Sequence, residues 1–318
     1  MMMMRIKVPF LALCVLMMLG MLSSCERIDY PDELGDGKVV KNGAGDPDGN
    51  LKVVVWEMAT TPFDTSNLNL QLGEAKSQSL TRAPEAISSW CTRLNFAIYT
   101  LDGTRVKQVN QTSNDASFGA ATFQLEPGDY MVVVVAHSSN GNPTMTDPTC
   151  IKFTNAQGFT ETRIDCEKVV VTEEKQELPV SPHRIGSRCS FVMTDETIPS
   201  EVKTMRFYYT GGSGAFDVTT GLGSVNSKQD VKFNVTADQK QFDLYTFLHD
   251  TEGTIHLTVT GLDASGNELY SRSFDVSMEQ DHITWLTGAF FVGSGSSSLT
   301  ITTVLVNTDW AGEKHLTF

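Results

Sequence analysis

The sequence predicts an all-β protein: two β-sandwich domains in tandem, behind a lipoprotein signal peptide and a flexible spacer. Three observations carry this prediction. Short segments in which apolar and polar residues alternate recur along the chain, turns rich in Gly, Pro and Asp separate them, and no long stretch has the 3.6-residue apolar period of an amphipathic helix. The 318 residues are 40% hydrophobic and 9% aromatic, enough apolar material for about two cores.

The leader comes first. Arg5 and Lys7 make a cationic start, and Val8 to Leu22 is almost wholly apolar. That run is about 15 residues, short of the roughly 20 that a helix needs to cross a bilayer. Leu22, Ser23 and Ser24 then precede Cys25. Small residues before a cysteine match the bacterial lipobox, in which a peptidase cuts between Ser24 and Cys25 and the thiol carries a diacylglycerol. Residues 1–24 are therefore expected to be removed and Cys25 to be lipidated. Several buried acyl chains, at about 0.8 kcal/mol per CH₂, make a stable anchor.

The formal net charge is −14, and loss of Arg5 and Lys7 with the leader makes the mature chain more acidic still. Such a surface repels phosphate backbones, which argues against a nucleic-acid partner. Residues 25–50 are acidic and rich in Gly, Asp and Pro without an apolar period, and read as a spacer. Asp46, Asp48 and Asn50 mimic the start of a calcium loop, but the LKVVVW that follows has the pattern of a strand where an EF-hand continues its loop.

A first sandwich is expected over 51–178. Leu51 to Glu57 is Val-rich, and Leu94 to Thr100 alternates before LDGT, a hairpin turn whose Asp-Gly pair accepts positive φ. Ala121 to Leu125, a Pro-Gly turn and Tyr130 to Ala136 form a second hairpin. Its four consecutive valines imply a central strand covered on both faces. Two prolines in LPVSPHRI, Leu178 to Ile185, mark the boundary. The second sandwich, 179–318, has strand patterns at Arg188 to Met193, Thr204 to Thr210, Val231 to Val235, Phe242 to Leu248, Thr254 to Thr260, Glu268 to Val276 and Leu299 to Val306.

No catalytic constellation stands out. The chain has no GxSxG, no HExxH and no GxxxxGK followed by Ser or Thr, and its histidines are dispersed. The glycine-rich Gly211 to Ser224 lacks the lysine that phosphate binding needs and reads as a flexible loop. Cys91, Cys150, Cys166 and Cys189 show no zinc spacing, and their pairing stays open between three disulfide patterns and free core thiols. The expectation is a non-enzyme with no metal and no cofactor.

Several long segments together resemble one family. The lipobox cysteine, the short acidic spacer, LTRA, LNFAIYTLDGTRV, EPGDYMVVVVAHSSNGNP and MRFYYTGGSGAFDVTTGLG are similar to the fimbrillin-associated anchor proteins of Bacteroidales-type fimbriae. The resemblance runs from Cys25 nearly to the C-terminus. It implies two transthyretin-like sandwiches in an outer-membrane lipoprotein, acting as basal anchor or accessory subunit and joined to fimbrillin or other fimbrial subunits by β-strand exchange. It also implies a rival course: stalk subunits of this type are trimmed by an arginine-specific protease, and a cut between Arg82 and Ala83 would free the strand Leu51 to Glu57. The same cut would part the body from Cys25, so the uncleaved anchor is the primary expectation. Ile283 to Phe291 and Leu299 to Trp310 are apolar enough to pair with another chain, although a domain of this length needs them for itself.

A different class of function, a surface lipoprotein binding a glycan or host ligand, would need an exposed aromatic platform. Trp90 and the pair Tyr208 and Tyr209 are the candidates for it.

Overall fold

The computed structural model describes residues 40–59, 63, 87–153, 158–236, 238–291, 300–304 and 310–318. Strands dominate them. The first ten are β1 (Val40–Asn42), β2 (Leu51–Val55), β3 (Arg93–Thr100), β4 (Arg105–Thr112), β5 (Ala120–Phe123), β6 (Gly128–His137), β7 (Ile151–Lys152), β8 (Arg163–Val171), β9 (Gln176–Val180) and β10 (His183–Arg184). Six make one sheet in the order β1-β4-β3-β6-β8-β10, and three make another in the order β5-β2-β9.

The two-residue period of a strand decides what these sheets bury. β2 turns Leu51, Val53 and Val55 inward and leaves Lys52 exposed. Phe96 and Ile98 of β3, Val132 and Val134 of β6 and Val169 of β8 meet them from the larger sheet, forming the first core. LDGT closes the β3–β4 hairpin as its sequence requires: Gly103 has φ 87°, and Asp102 Oδ1 accepts the Thr104 N–H at 3.1 Å.

The second set is β11 (Ser187–Met193), β12 (Thr204–Ser213), β13 (Ala215–Asp217), β14 (Leu222–Gly223), β15 (Asn226–Asn234), β16 (Gln241–Thr246), β17 (Glu252–Leu262), β18 (Glu268–Glu279), β19 (His282–Gly288), β20 (Thr300–Val304) and β21 (Gly312–Thr317). Its sheets run β16-β11-β19-β21-β20 and β15-β12-β17-β18. Phe191, Phe207, Leu257, Phe274 and Leu286 fill the core between them.

A third core joins the two sandwiches. Ala97 and Tyr99 of β3 and Met131, Val133 and Val135 of β6 pack with Phe216, Val218 and Phe247 from the second half. The valine strand is thus covered on both faces, its even-numbered valines in the first core and its odd-numbered ones in the third. A small sheet ordered β14-β13-β7 spans the same junction, pairing Phe216 with Ile151.

Two stretches differ from their sequence reading. Gly211 to Ser224, read as a flexible loop, is built into structure. Gly211 has φ 92°, a Cβ there would strike the Thr254 carbonyl, and one on Gly212 would strike the Thr246 side chain. The glycines serve close approach of backbones and carry Phe216 into the third core. Residues 40–50, read as spacer, hold β1, parallel to β4. Asp46 accepts from Lys41, from Lys107 at 2.6 Å and from the Gln124 N–H at 3.1 Å, while Asn50 bonds Leu125 and Thr172. Burial alone would raise the Asp46 carboxyl; these bonds hold it far below the usual range, as an ion-paired carboxylate. Pro179 of the boundary stretch falls where it costs nothing: it lies in β9, an edge strand in which a missing N–H removes no ladder bond.

Candidate functional site

Ser24, Cys25, Arg82 and Ala83, the residues singled out for lipidation and processing, lie outside the described residues. The strand that a cut after Arg82 would free is described. β2 pairs antiparallel with β5 and parallel with β9, and Leu51, Val53 and Val55 are fully buried. It is the middle strand of its sheet.

The outer edge of the second sandwich is built from the C-terminal residues. β21 lies parallel to β19, and β20 pairs antiparallel with the far side of β21. Ile283 to Phe291 and Leu299 to Val306 therefore both contribute strands to this chain's own sheet. Leu316 of β21 enters the second core, and the Phe318 ring stacks on Phe191 at 5.3 Å. β21 escapes a hydrophobicity reading because GEKHLT is mostly polar; its alternation, Glu313 and Leu316 inward, is irregular.

Between the sandwiches the apolar third core is bordered by a charged cluster. Arg184 of β10 bonds Asp281, in the turn between β18 and β19, at 2.8 Å, and Glu161 at 3.0 Å. Arg163 reaches Glu161 at 2.7 Å. The Trp310 ring lies over the Arg184 guanidinium, 4.0 Å from centroid to Cζ. Asp281 has φ 57°; its N–H donates to the Gly186 carbonyl and its own carbonyl accepts from Ala311. Burial pushes its carboxyl up, and Arg184 offsets part of that. Apart from the local Arg163–Glu161 pair, sequence offers no sign of these contacts, since Arg184 meets Glu161, Asp281 and Trp310 across 23 residues or more.

Among the described residues the candidate aromatics do not form one exposed platform: Tyr208 is half-buried, with the Arg206 guanidinium 5.8 Å from its ring. Trp90 packs against the first core with Arg163 over its ring at 4.9 Å, and Tyr209 is a core residue. Cys91, Cys150, Cys166 and Cys189 are free, and burial pushes the thiols of Cys91 and Cys189 up to about 12. Those two are inert core thiols. Among the described residues no group of three or more His, Cys, Asp or Glu is arranged to hold a metal ion, and no helix is long and apolar enough to cross a membrane.

One buried polar network remains. The Ser139 N–H donates to His137 Nδ1 at 3.1 Å, which leaves Nε2 as the protonated nitrogen, donating to Asn95 Oδ1 at 2.9 Å. Asn95 Nδ2 donates onward to Asn110 Oδ1 at 2.8 Å and Asn142 Oδ1 at 3.1 Å. Burial, reinforced by the Arg93 charge, holds the His137 imidazole down at about 3, so it is neutral.

No family model matches the chain, and no curated protein matches it. Among solved structures the chain is similar to a Bacteroides thetaiotaomicron protein provisionally assigned to polysaccharide binding, with TM-score 0.43 and 10% identity over 70% of this chain and 79% of that one. It is similar as well to the fimbrial anchor protein Mfa2 from Porphyromonas gingivalis, with TM-score 0.36 and 13% identity over 70% and 81%. A fimbrial assembly protein from Parabacteroides distasonis gives TM-score 0.36 and 14% identity over 75% and 90%.

Proposed function

We propose that the chain is a lipid-anchored structural subunit of a cell-surface fimbria and acts as its basal anchor, acylated at Cys25, held in the outer membrane and joined to fimbrillin-type subunits by β-strand exchange. The observation that carries the reading is the edge of the second sandwich. β20 pairs with β21 on one side, and no other described strand pairs with its other side. Such an edge offers a row of N–H and C=O groups that a partner's strand satisfies. The third core supports the same reading, because a body loaded between membrane and fibre must not part at its middle.

An intact Arg82–Ala83 bond fits better than processing. β2 is held on both sides and fills the first core, so its removal would strip the centre of a sheet. Mass spectrometry of the native envelope fraction tests this directly. An acylated Cys25 continuous through Arg82 is expected; a new N-terminus at Ala83 would replace the anchor with a processed fibre subunit. In cells carrying Cys25→Ser, fibres are expected in the medium rather than on the envelope. Fibres that stay attached at normal length after deletion of the protein would end the proposal.

A further inference from the structure

A groove of about 280 Å³ opens beside β1, β3 and β4, lined by Asn42, Arg93, Asn110, Thr112, Asp115 and Asn142. Its hydrogen-bonding character is fixed from beneath by the His137 network. A side-chain amide has one oxygen and one nitrogen, so spending the oxygen inward leaves the nitrogen for the opposite side. The Asn110 oxygen accepts from Asn95 and, at 2.8 Å, from Gln108 Nε2, whose own oxygen accepts from Arg105 at 2.8 Å. The Asn142 oxygen accepts from Asn95 and from Arg93 Nη1 at 3.3 Å. Neither amide nitrogen has an acceptor among the described residues.

Two amide donors and the Arg93 guanidinium thus stand together at one groove. Asp115 supplies the contrasting group. Its Oδ2 is taken by the Thr112 N–H at 2.6 Å and hydroxyl at 3.1 Å, which leaves Oδ1 as an acceptor. Gln111 also borders the groove, but its nitrogen is spent on Gly43 and Ala120 and its oxygen on Gly119. Among the described residues no aromatic ring lines the groove, and its recognition groups are hydrogen-bonding ones. A cluster of donors around one guanidinium suits a carboxylate, and a lone carboxylate acceptor beside them suits a hydroxyl.

We propose that this groove binds a carboxylate-bearing saccharide, the acid group on Arg93, Asn110 and Asn142 and a ring or chain hydroxyl on Asp115. The site is independent of the fimbrial reading and stands if that reading fails. The expected selectivity comes from the charge-assisted bonds: the mature chain binds 3′-sialyllactose saturably, and lactose at least about tenfold more weakly.

Titration calorimetry or saturation-transfer NMR with these two sugars measures that ratio. Asn142→Asp is the sharpest variant. It keeps the oxygen that accepts from Asn95 and Arg93, so the network survives, but replaces the outward donor with a second carboxylate oxygen. Binding of sialyllactose is expected to fall by roughly tenfold or more with circular dichroism unchanged, and Arg93→Gln is expected to bring the two sugars to equal affinity. Absence of saturable binding to the unmodified chain, equal binding of both sugars, or sialyllactose binding unchanged in both variants would overturn the site.

Discussion

Arg184 and Asp281 stand 97 residues apart in sequence, and their side chains meet at 2.8 Å with only 2% of each exposed. One belongs to the last strand of the first sandwich and the other to a turn of the second. Removing one partner of a buried pair strands the other charge, which costs about 3–5 kcal/mol, whereas replacing both with apolar groups costs much less. Asp281→Leu is therefore expected to lower the unfolding free energy by at least that amount, the strain of Leu at φ 57° adding to it, and Arg184→Met combined with Asp281→Leu by clearly less than the two single changes summed. Urea unfolding of the four proteins measures the coupling. Simple additivity would mean that the pair does not hold the junction.

Phe216 tests the apolar half of the same junction. It is fully buried in the third core, with Phe247 at 5.2 Å and Phe153 at 5.9 Å between ring centroids. Phe216→Ala should cost about 3–5 kcal/mol. Because the ring belongs to neither sandwich's own core, the loss is expected to uncouple the two, and calorimetry should resolve two transitions where the unmodified chain shows one. A single transition shifted only downward would place Phe216 in an ordinary core role.

The C-terminal strand gives a third expectation. β21 separates β19 from β20, and Trp310, just before it, covers Arg184. A chain ending at residue 309 loses Leu316 and Phe318 from the second core and uncovers the β19 edge. It is expected to unfold its second sandwich at lower denaturant than the full chain and to aggregate through that edge. Light scattering and tryptophan fluorescence read the two effects. A truncated chain as stable and monomeric as the full one would show that β21 is dispensable.

What could be read from sequence alone follows from the range of the forces concerned. Period-two alternation is local, so β2, β3, β6, β11 and β12 are visible in it, and the valine run of β6 announces coverage on both faces. β1, β7, β13 and β14 are two or three residues long and exist because a neighbour pairs with them, which no local pattern records. Glycine misled for a related reason. In Gly211 to Ser224 its small size signals close backbone approach rather than mobility, and the two have the same composition. Tyr99 alternates as a solvent-facing residue yet is fully buried, because the third core covers the sheet's second face. The groove residues were invisible for the same reason, as Asn95, Asn110 and Asn142 come together only through sheet register and a returning loop.

His137 makes the sharpest pH prediction. Its folded pKa of about 3 lies below the ordinary 6.5 that it has when unfolded, with burial as the first cause and the Arg93 charge as the second. A depressed folded pKa means that the unfolded chain binds the extra proton. Its contribution to stability is therefore complete above about pH 6.5 and is lost as pH falls toward about 3. Through that window each unit of pH costs about 1.4 kcal/mol from this group. His137→Gln keeps a donor for Asn95 Oδ1 and cannot titrate. The variant is expected to be less stable than the unmodified chain at pH 7.5, with the gap closing steadily toward pH 4 in urea titrations. A gap that stays constant from pH 7.5 to 4 would show that His137 binds its proton as readily in the folded protein as in the unfolded one.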